Sequence, residues 1–278
     1  MKKKEIVLNT SKGFIVGASM LVPGVSGGTM AIILGIFDKL IHAINNFFKD
    51  FKKSFILLAE FCLGAGIGFL LFSRVISFAL KNFQLPMVYF FIGAILGGVP
   101  LLFKQTKIQK TDTKGIIIGV ISGILGVALV LLLRFIPESS VNFGGSLNLK
   151  SIIMQLITGI IIAVALVLPG ISTSHMLLIL GMYNTTLNAI EHPFDNITFL
   201  ASLAVCVVIG VFLTTNLLEK AMTKFPQITY FAIIGFVLGS IIDVFPGFPT
   251  GWEIPVCIVT LVAGYIAIRY ISKFSNDN

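Results

Sequence analysis

The chain has 278 residues, 56% hydrophobic and 12% charged, with a net charge of +8 and a mean hydropathy of +1.00. Soluble domains give about a quarter of their residues to charge, so a chain this apolar has lipid rather than water as its main solvent. The basic excess falls in short loops between apolar stretches, where lysines act as topology signals. That excludes nucleic acid as a partner.

The N-terminal Met1-Lys2-Lys3-Lys4 leads into apolar residues from Gly13. It resembles a signal peptide, but the segment runs into Pro23-Gly24 and a second apolar arm instead of a small-residue cleavage site, so it reads as mature protein. Pro23 lacks an N–H and restricts Val22, and Gly24, Gly27 and Gly28 weaken the helix further. The arm from Gly13 to Val22 is only ~15 Å long as a helix, about half the hydrocarbon core. The arm from Thr29 to about Phe47 runs back the same way, so residues 13–44 are predicted to form a re-entrant hairpin. Three apolar spans follow at about 54–80, 86–103 and 115–136. A second Pro-Gly-interrupted hairpin within 151–190 precedes spans at about 199–219, 228–245 and 254–271.

This order is an internal repeat. Residues 13–44 align without gaps on 159–190, with 11 of 32 positions identical. Pro23-Gly24-Val25-Ser26 meets Pro169-Gly170-Ile171-Ser172, and Ile33-Leu34-Gly35 meets Ile179-Leu180-Gly181. Ile92-Gly93 through Leu96-Gly97 matches Ile234-Gly235 through Leu238-Gly239 at an offset of 142.

Lysine placement sets the expected topology. With the N-terminus inside and a hairpin that returns inside, Lys49, Lys52, Lys53, Lys104, Lys107, Lys110 and Lys114 are cytoplasmic, as are Lys220, Lys224, Arg269 and Lys273. The outer loops keep Lys81 and Lys150 beside Glu138, Glu191, Asp195 and Glu253. Each half then crosses three times, so the second is inverted relative to the first. The predicted fold is an all-α integral membrane protein of two inverted repeats, each a Pro-Gly-broken re-entrant hairpin followed by three transmembrane helices. The repeats cover 1–145 and 146–278 of one membrane domain, with both termini cytoplasmic. Broken helices in inverted repeats are a recurring transporter architecture with the site near the midplane.

The two tips, Pro23 to Thr29 and Pro169 to His175, are expected to meet there. Unpaired backbone at membrane depth must be buried in protein or line a wet cavity. The amides that open the following helices suit an anion, phosphate above all. The predicted lipid-phosphate ligands are Gly24, Val25, Ser26, Gly27, Gly28 and Thr29 with Gly170, Ser172, Thr173, Ser174 and His175. Helix ends contribute up to ~2 kcal/mol, less than the several kcal/mol of desolvating an ion, so a cation must assist. Arg74, deep in the first span, is assigned that role through its planar fork of donors. Glu60 and His175 are candidates for ion coupling, and Asp243 is a weaker intramembrane candidate. Gly64, Gly66 and Gly68 read as helix packing, Trp252 as an interface anchor, and Cys62, Cys206 and Cys257 as small packing residues.

Pro23-Gly24-Val25-Ser26-Gly27-Gly28-Thr29 through Leu34-Gly35-Ile36-Phe37 resembles the signature of the bacterial polyprenyl-phosphate transporter family. Pro169-Gly170-Ile171-Ser172 through Leu180-Gly181-Met182-Tyr183 resembles its second signature. Thr173-Ser174-His175 departs from that pattern, which has Gly-Ser and an apolar residue there. The resemblance implies a flippase in the bacterial cytoplasmic membrane that returns undecaprenyl phosphate from the outer to the inner leaflet for reuse in envelope synthesis. The residues give no sign of a cofactor, metal or enzymatic step, and the expected driving force is an ion gradient, of protons or sodium, or downstream consumption of the lipid. Two other readings use the same residues: a permease for a small soluble anion, and an intramembrane lipid phosphatase. His42, His175 and His192 form no constellation with arginines that a phosphatase needs, and the sequence carries no nucleotide-binding loop.

Overall fold

A computed structural model describes residues 3–20, 26–106, 113–136 and 149–276. All regular structure among these residues is helical. The predicted ligands Gly24 and Val25, and the loop lysines Lys107 and Lys110, lie outside the described residues.

The first half contains α1 (Lys3–Ser19), α2 (Gly27–Ile33), α3 (Phe37–Asn45), α4 (Phe51–Asn82), α5 (Gln84–Gln105) and α6 (Thr113–Arg134). The second repeats that order as α7 (Leu149–Val167), α8 (Thr173–Ile179), α9 (Tyr183–Glu191), α10 (Ile197–Lys224), α11 (Pro226–Val244) and α12 (Glu253–Asn276). Helices α4, α5, α6, α10, α11 and α12 are long and apolar enough to cross a bilayer, which makes the chain a multi-pass membrane protein. Their outward faces are apolar and unburied, as at Leu70, Leu125, Leu217 and Val259. In lipid such faces are the satisfied ones.

The short helices α2 and α3 lie in the core. Every residue from Gly28 to Ile33 is buried, and Ile33, Leu34, Ile36 and Met182 have no exposed surface. The arm after the tip is not the single run back expected for 29–47. It breaks after seven residues, and α3 leaves α2 at 114°. The cause is local: Gly35 has φ 63 and Gly181 has φ 66. The Gly35 N–H donates to the Ile32 carbonyl and the Ile36 N–H to the Ala31 carbonyl; Gly181 and Met182 repeat this onto Leu178 and Leu177. Each is a helix stop in which a left-handed glycine and the apolar residue after it cap the last carbonyls. The Leu-Gly-Ile-Phe and Leu-Gly-Met-Tyr signatures are these stops.

Helix α1 packs along α4, and α7 along α10. At the first crossing a Cβ on Gly13, Gly17, Gly64 or Gly68 would overlap backbone carbonyls of the facing helix. Gly159 against Cys206 and Gly210 against Ala163 form the matching crossing. This close approach of small residues is how membrane helices gain packing contact. Gly66, read from sequence as part of the same packing, faces open space instead. Between the halves, α5 packs on α12 and α11 on α6, an exchange of partners. Gly93 touches the Leu261 carbonyl in one pair and Gly235 the Gly123 carbonyl in the other.

Candidate functional site

Ser26 and Ser172 are extended residues at the N-caps of α2 and α8. Ser26 Oγ accepts from the Thr29 N–H at 3.1 Å, and Ser172 Oγ from the His175 N–H at 3.3 Å. Each serine therefore satisfies one orphan amide of its own short helix. The two hydroxyls, read from sequence as ligand groups beside open amides, act first as caps. Among the described residues Gly27, Gly28, Thr173 and Ser174 supply the remaining first-turn N–H groups, which have no intrahelical acceptor.

The tips meet. The Gly170 N–H points at two acceptors, Thr29 Oγ1 at 3.1 Å and Ser26 Oγ at 3.2 Å. Ser26 Oγ and Thr29 Oγ1 are themselves 2.9 Å apart. Gly170 has φ 81, and a Cβ there would overlap the Phe236 carbonyl oxygen, so only glycine fits. Gly28 lies against the Leu166 and Val167 carbonyls, with room for a Cβ only at contact distance. Thr29 is 1% exposed, so its hydroxyl belongs to the junction rather than to open space.

A cavity of about 660 Å³ opens beside the second tip. Ser172 and His175 line it together with Lys81, Gln84 and Asp243, and Leu80, Val88 and Val244 form apolar wall. Of the residues singled out in the sequence, Ser172, His175 and Asp243 thus share one space. Arg74 does not line it: it is exposed on α4, two helical turns from Lys81 on the same face, ~10 Å away. Thr173 is half-buried at the start of α8.

Glu60 lies elsewhere, between α1 and α4, 8% exposed. Its Oε2 accepts from Asn9 Nδ2 at 2.9 Å, and its Oε1 has no hydrogen-bond partner among the described residues. Lys12, one turn on from Asn9, is also buried. The repeat places a neutral pair at the matching positions, where Ser202 Oγ donates to Gln155 Oε1 at 2.5 Å.

A smaller cavity of about 330 Å³ adjoins α3, α10 and α11. Two sets of side chains tie α3 across it. Glu219 bonds His42 Nδ1 at 2.8 Å and accepts from Asn45 Nδ2 at 2.6 Å, while Thr215 donates to Asn45 at 2.7 Å. The Tyr230 hydroxyl donates to Asp38 at 3.1 Å. Sequence reasoning missed this cluster and missed Lys81. Lys81 looked like a loop charge, and Asp38, His42 and Glu219 are brought together only by the bend at Gly35.

Residues 16–254 match the family described as VCA0040-like, undecaprenyl phosphate translocase-like. The chain belongs to this family. It is 33% identical over 281 residues to the polyprenyl-phosphate transporter of Staphylococcus aureus (strain NCTC 8325 / PS 47), covering 98% of each chain. It is 28% identical over 252 residues to that of Vibrio cholerae serotype O1 (strain ATCC 39315 / El Tor Inaba N16961), covering 84% of this chain and 76% of the relative. No solved structure matches the chain. In this family member the paired signatures have separate tasks among the described residues: Ser26, Thr29 and Gly170 form the tip junction, and the Leu-Gly pairs stop the two short helices.

Proposed function

We propose that the chain carries a polyprenyl phosphate such as undecaprenyl phosphate across the bacterial cytoplasmic membrane, from the outer to the inner leaflet, for reuse in envelope synthesis. The observation that carries this is the bond from Gly170 to Thr29 and Ser26. It joins the start of α2 to the turn before α8 inside an apolar frame, beside a cavity with polar and apolar walls. An anionic head needs such a polar path, whereas the prenyl tail can stay in lipid. The names of the two relatives, both polyprenyl-phosphate transporters, agree with that chemistry.

In this reading residues 1–145 and 146–278 are inverted repeats, with both termini and the lysine-rich loops cytoplasmic. The exchange of partners between α5–α12 and α11–α6 supports a two-fold relation. The head group passes the first-turn amides of Gly27, Gly28, Thr173 and Ser174, with Gly24 and Val25 completing the first tip and Arg74 supplying charge from α4. Glu60, or His175 in the cavity, couples movement to a proton or sodium ion. The protein is a carrier and performs no bond cleavage.

Purified protein in liposomes tests this. It should move undecaprenyl phosphate between leaflets without ATP and without releasing phosphate. Uptake of a soluble anion with no lipid movement would favour a permease, and release of free phosphate would favour a phosphatase.

A further inference from the structure

The two cavities are counterparts in the repeat. Lys81, Gln84 and Val88, at the junction of α4 and α5, correspond at an offset of 142 to Thr223, Pro226 and Tyr230 at the junction of α10 and α11. His175 corresponds to Thr29, and Asp243 to Leu101. The chemistry of the two spaces is unequal. The larger one holds Lys81 and His175 with one carboxylate, Asp243. The smaller one holds two carboxylates, Asp38 and Glu219, with His42 and no lysine. The first offers an anion a lysine ammonium that the lining of the second lacks, and it sets one carboxylate against the anion where the second sets two.

We propose that the larger cavity is the loading subsite for a lipid phosphate monoester, and that Lys81 is the cation that captures its head group. The proposal rests on the transport reading above and deepens it by naming a residue that neither the sequence motifs nor the tips contain. Lys81 is exposed and makes no ion pair among the described residues, so its ammonium is available to an incoming dianion. A flexible stem carrying a strongly hydrated point charge suits capture at an interface, where the rigid fork of arginine suits a fixed pose. Phe78, on the same face of α4, is 64% exposed, which turns that face to lipid and leaves the tail a bed outside the cavity. Gln84 adds a neutral amide to the lining, and Ser172 and His175 line it from the side of the tip junction. The volume, about 660 Å³, lies in the ordinary range of small-ligand sites.

The test uses the full-length protein in liposomes containing undecaprenyl phosphate, with initial leaflet movement measured against lipid mole fraction at low and high salt. Lys81→Gln should raise the half-saturating mole fraction about fivefold, the scale of one partly exposed charge pair. It should leave the saturated rate near wild type and flatten the salt dependence, because the screened interaction is gone. Lys81→Arg should restore both. In a background without native cysteines, Lys81→Cys should be impaired and recover when an aminoethyl thiosulfonate reagent restores the positive charge. If Lys81→Gln matches wild type in half-saturation and salt dependence, or if Lys81→Arg is as impaired as Lys81→Gln, the capture role is overturned. A wild-type protein that moves no undecaprenyl phosphate overturns the transport reading and this one with it. An active wild type beside an indifferent Lys81→Gln overturns this one alone.

Discussion

The N–H of Gly170 donates to Oγ1 of Thr29 at 3.1 Å across 141 residues of sequence, and it joins the start of α2 to the turn between α7 and α8. Both partners are constrained to this geometry. Gly170 is in the left-handed region against the Phe236 carbonyl, and Thr29 is almost fully buried. A threonine hydroxyl here costs little, because its donor and acceptor capacity is used by Ser26 and Gly170.

Thr29→Val keeps the shape and removes the acceptor. It leaves the Gly170 amide with Ser26 alone and should cost about 0.5–1.5 kcal/mol, the net worth of one intramolecular hydrogen bond. Thermal unfolding in detergent should show a lower midpoint, and transport should fall more than in Thr29→Ser. Equal behaviour of the two variants would mean that the junction contributes no specific bond.

The glycine crossings give a paired expectation. Gly64→Ala drives a Cβ into the Thr10 carbonyl, whereas Gly66→Ala meets nothing within 4 Å. Gly64→Ala should lower the unfolding midpoint by separating α1 from α4. Gly66→Ala should be neutral or raise it, since alanine is the better helix former by ~0.5–1 kcal/mol. The reverse order would contradict the packing described.

Orientation can be checked by chemical access. In a background without native cysteines, Lys52→Cys should resist an impermeant thiol reagent added outside intact cells, and Lys81→Cys should react. Both substitutions fall at exposed positions near opposite ends of α4. Ready labelling at position 52 would overturn the proposed topology and the inversion of the halves.

Among the described residues Glu60 has a bond from Asn9 to one oxygen and no hydrogen bond to the other, and the neutral Gln155–Ser202 pair stands at its repeat position. A carboxyl that only ties α1 to α4 would be replaceable by glutamine. If it carries the coupling proton, Glu60→Gln should retain exchange of lipid at equilibrium and lose acceleration by an imposed pH gradient. An unchanged response to the gradient would return Glu60 to a packing role.

Much of this was legible in the sequence. Pro23-Gly24 and Pro169-Gly170 mark the breaks because proline removes a donor and glycine admits the φ of 81 seen at Gly170. Their equal spacing from the following Leu-Gly pairs exposed the repeat. The bend after α2 was missed at Gly35, although a glycine followed by a buried apolar residue is the pattern of a helix stop. Lys81 was assigned to topology because a loop lysine and a cavity lysine look alike until α8 and α11 are placed beside it. The tie of Glu219 to His42 and Asn45 spans more than 170 residues, and no local pattern announces such a pair.

The joint role of the tips is tested most directly by leaflet movement of undecaprenyl phosphate in liposomes containing Ser26→Leu and Ser172→Leu together. Leucine at both positions removes the caps and crowds the first-turn amides from both sides. The double variant, recovered from membranes at normal abundance, should move no lipid, while each single variant keeps part of the activity through the opposite tip. A folded double variant that moves the lipid at the wild-type rate would contradict a phosphate path through the junction of Gly170 and Thr29.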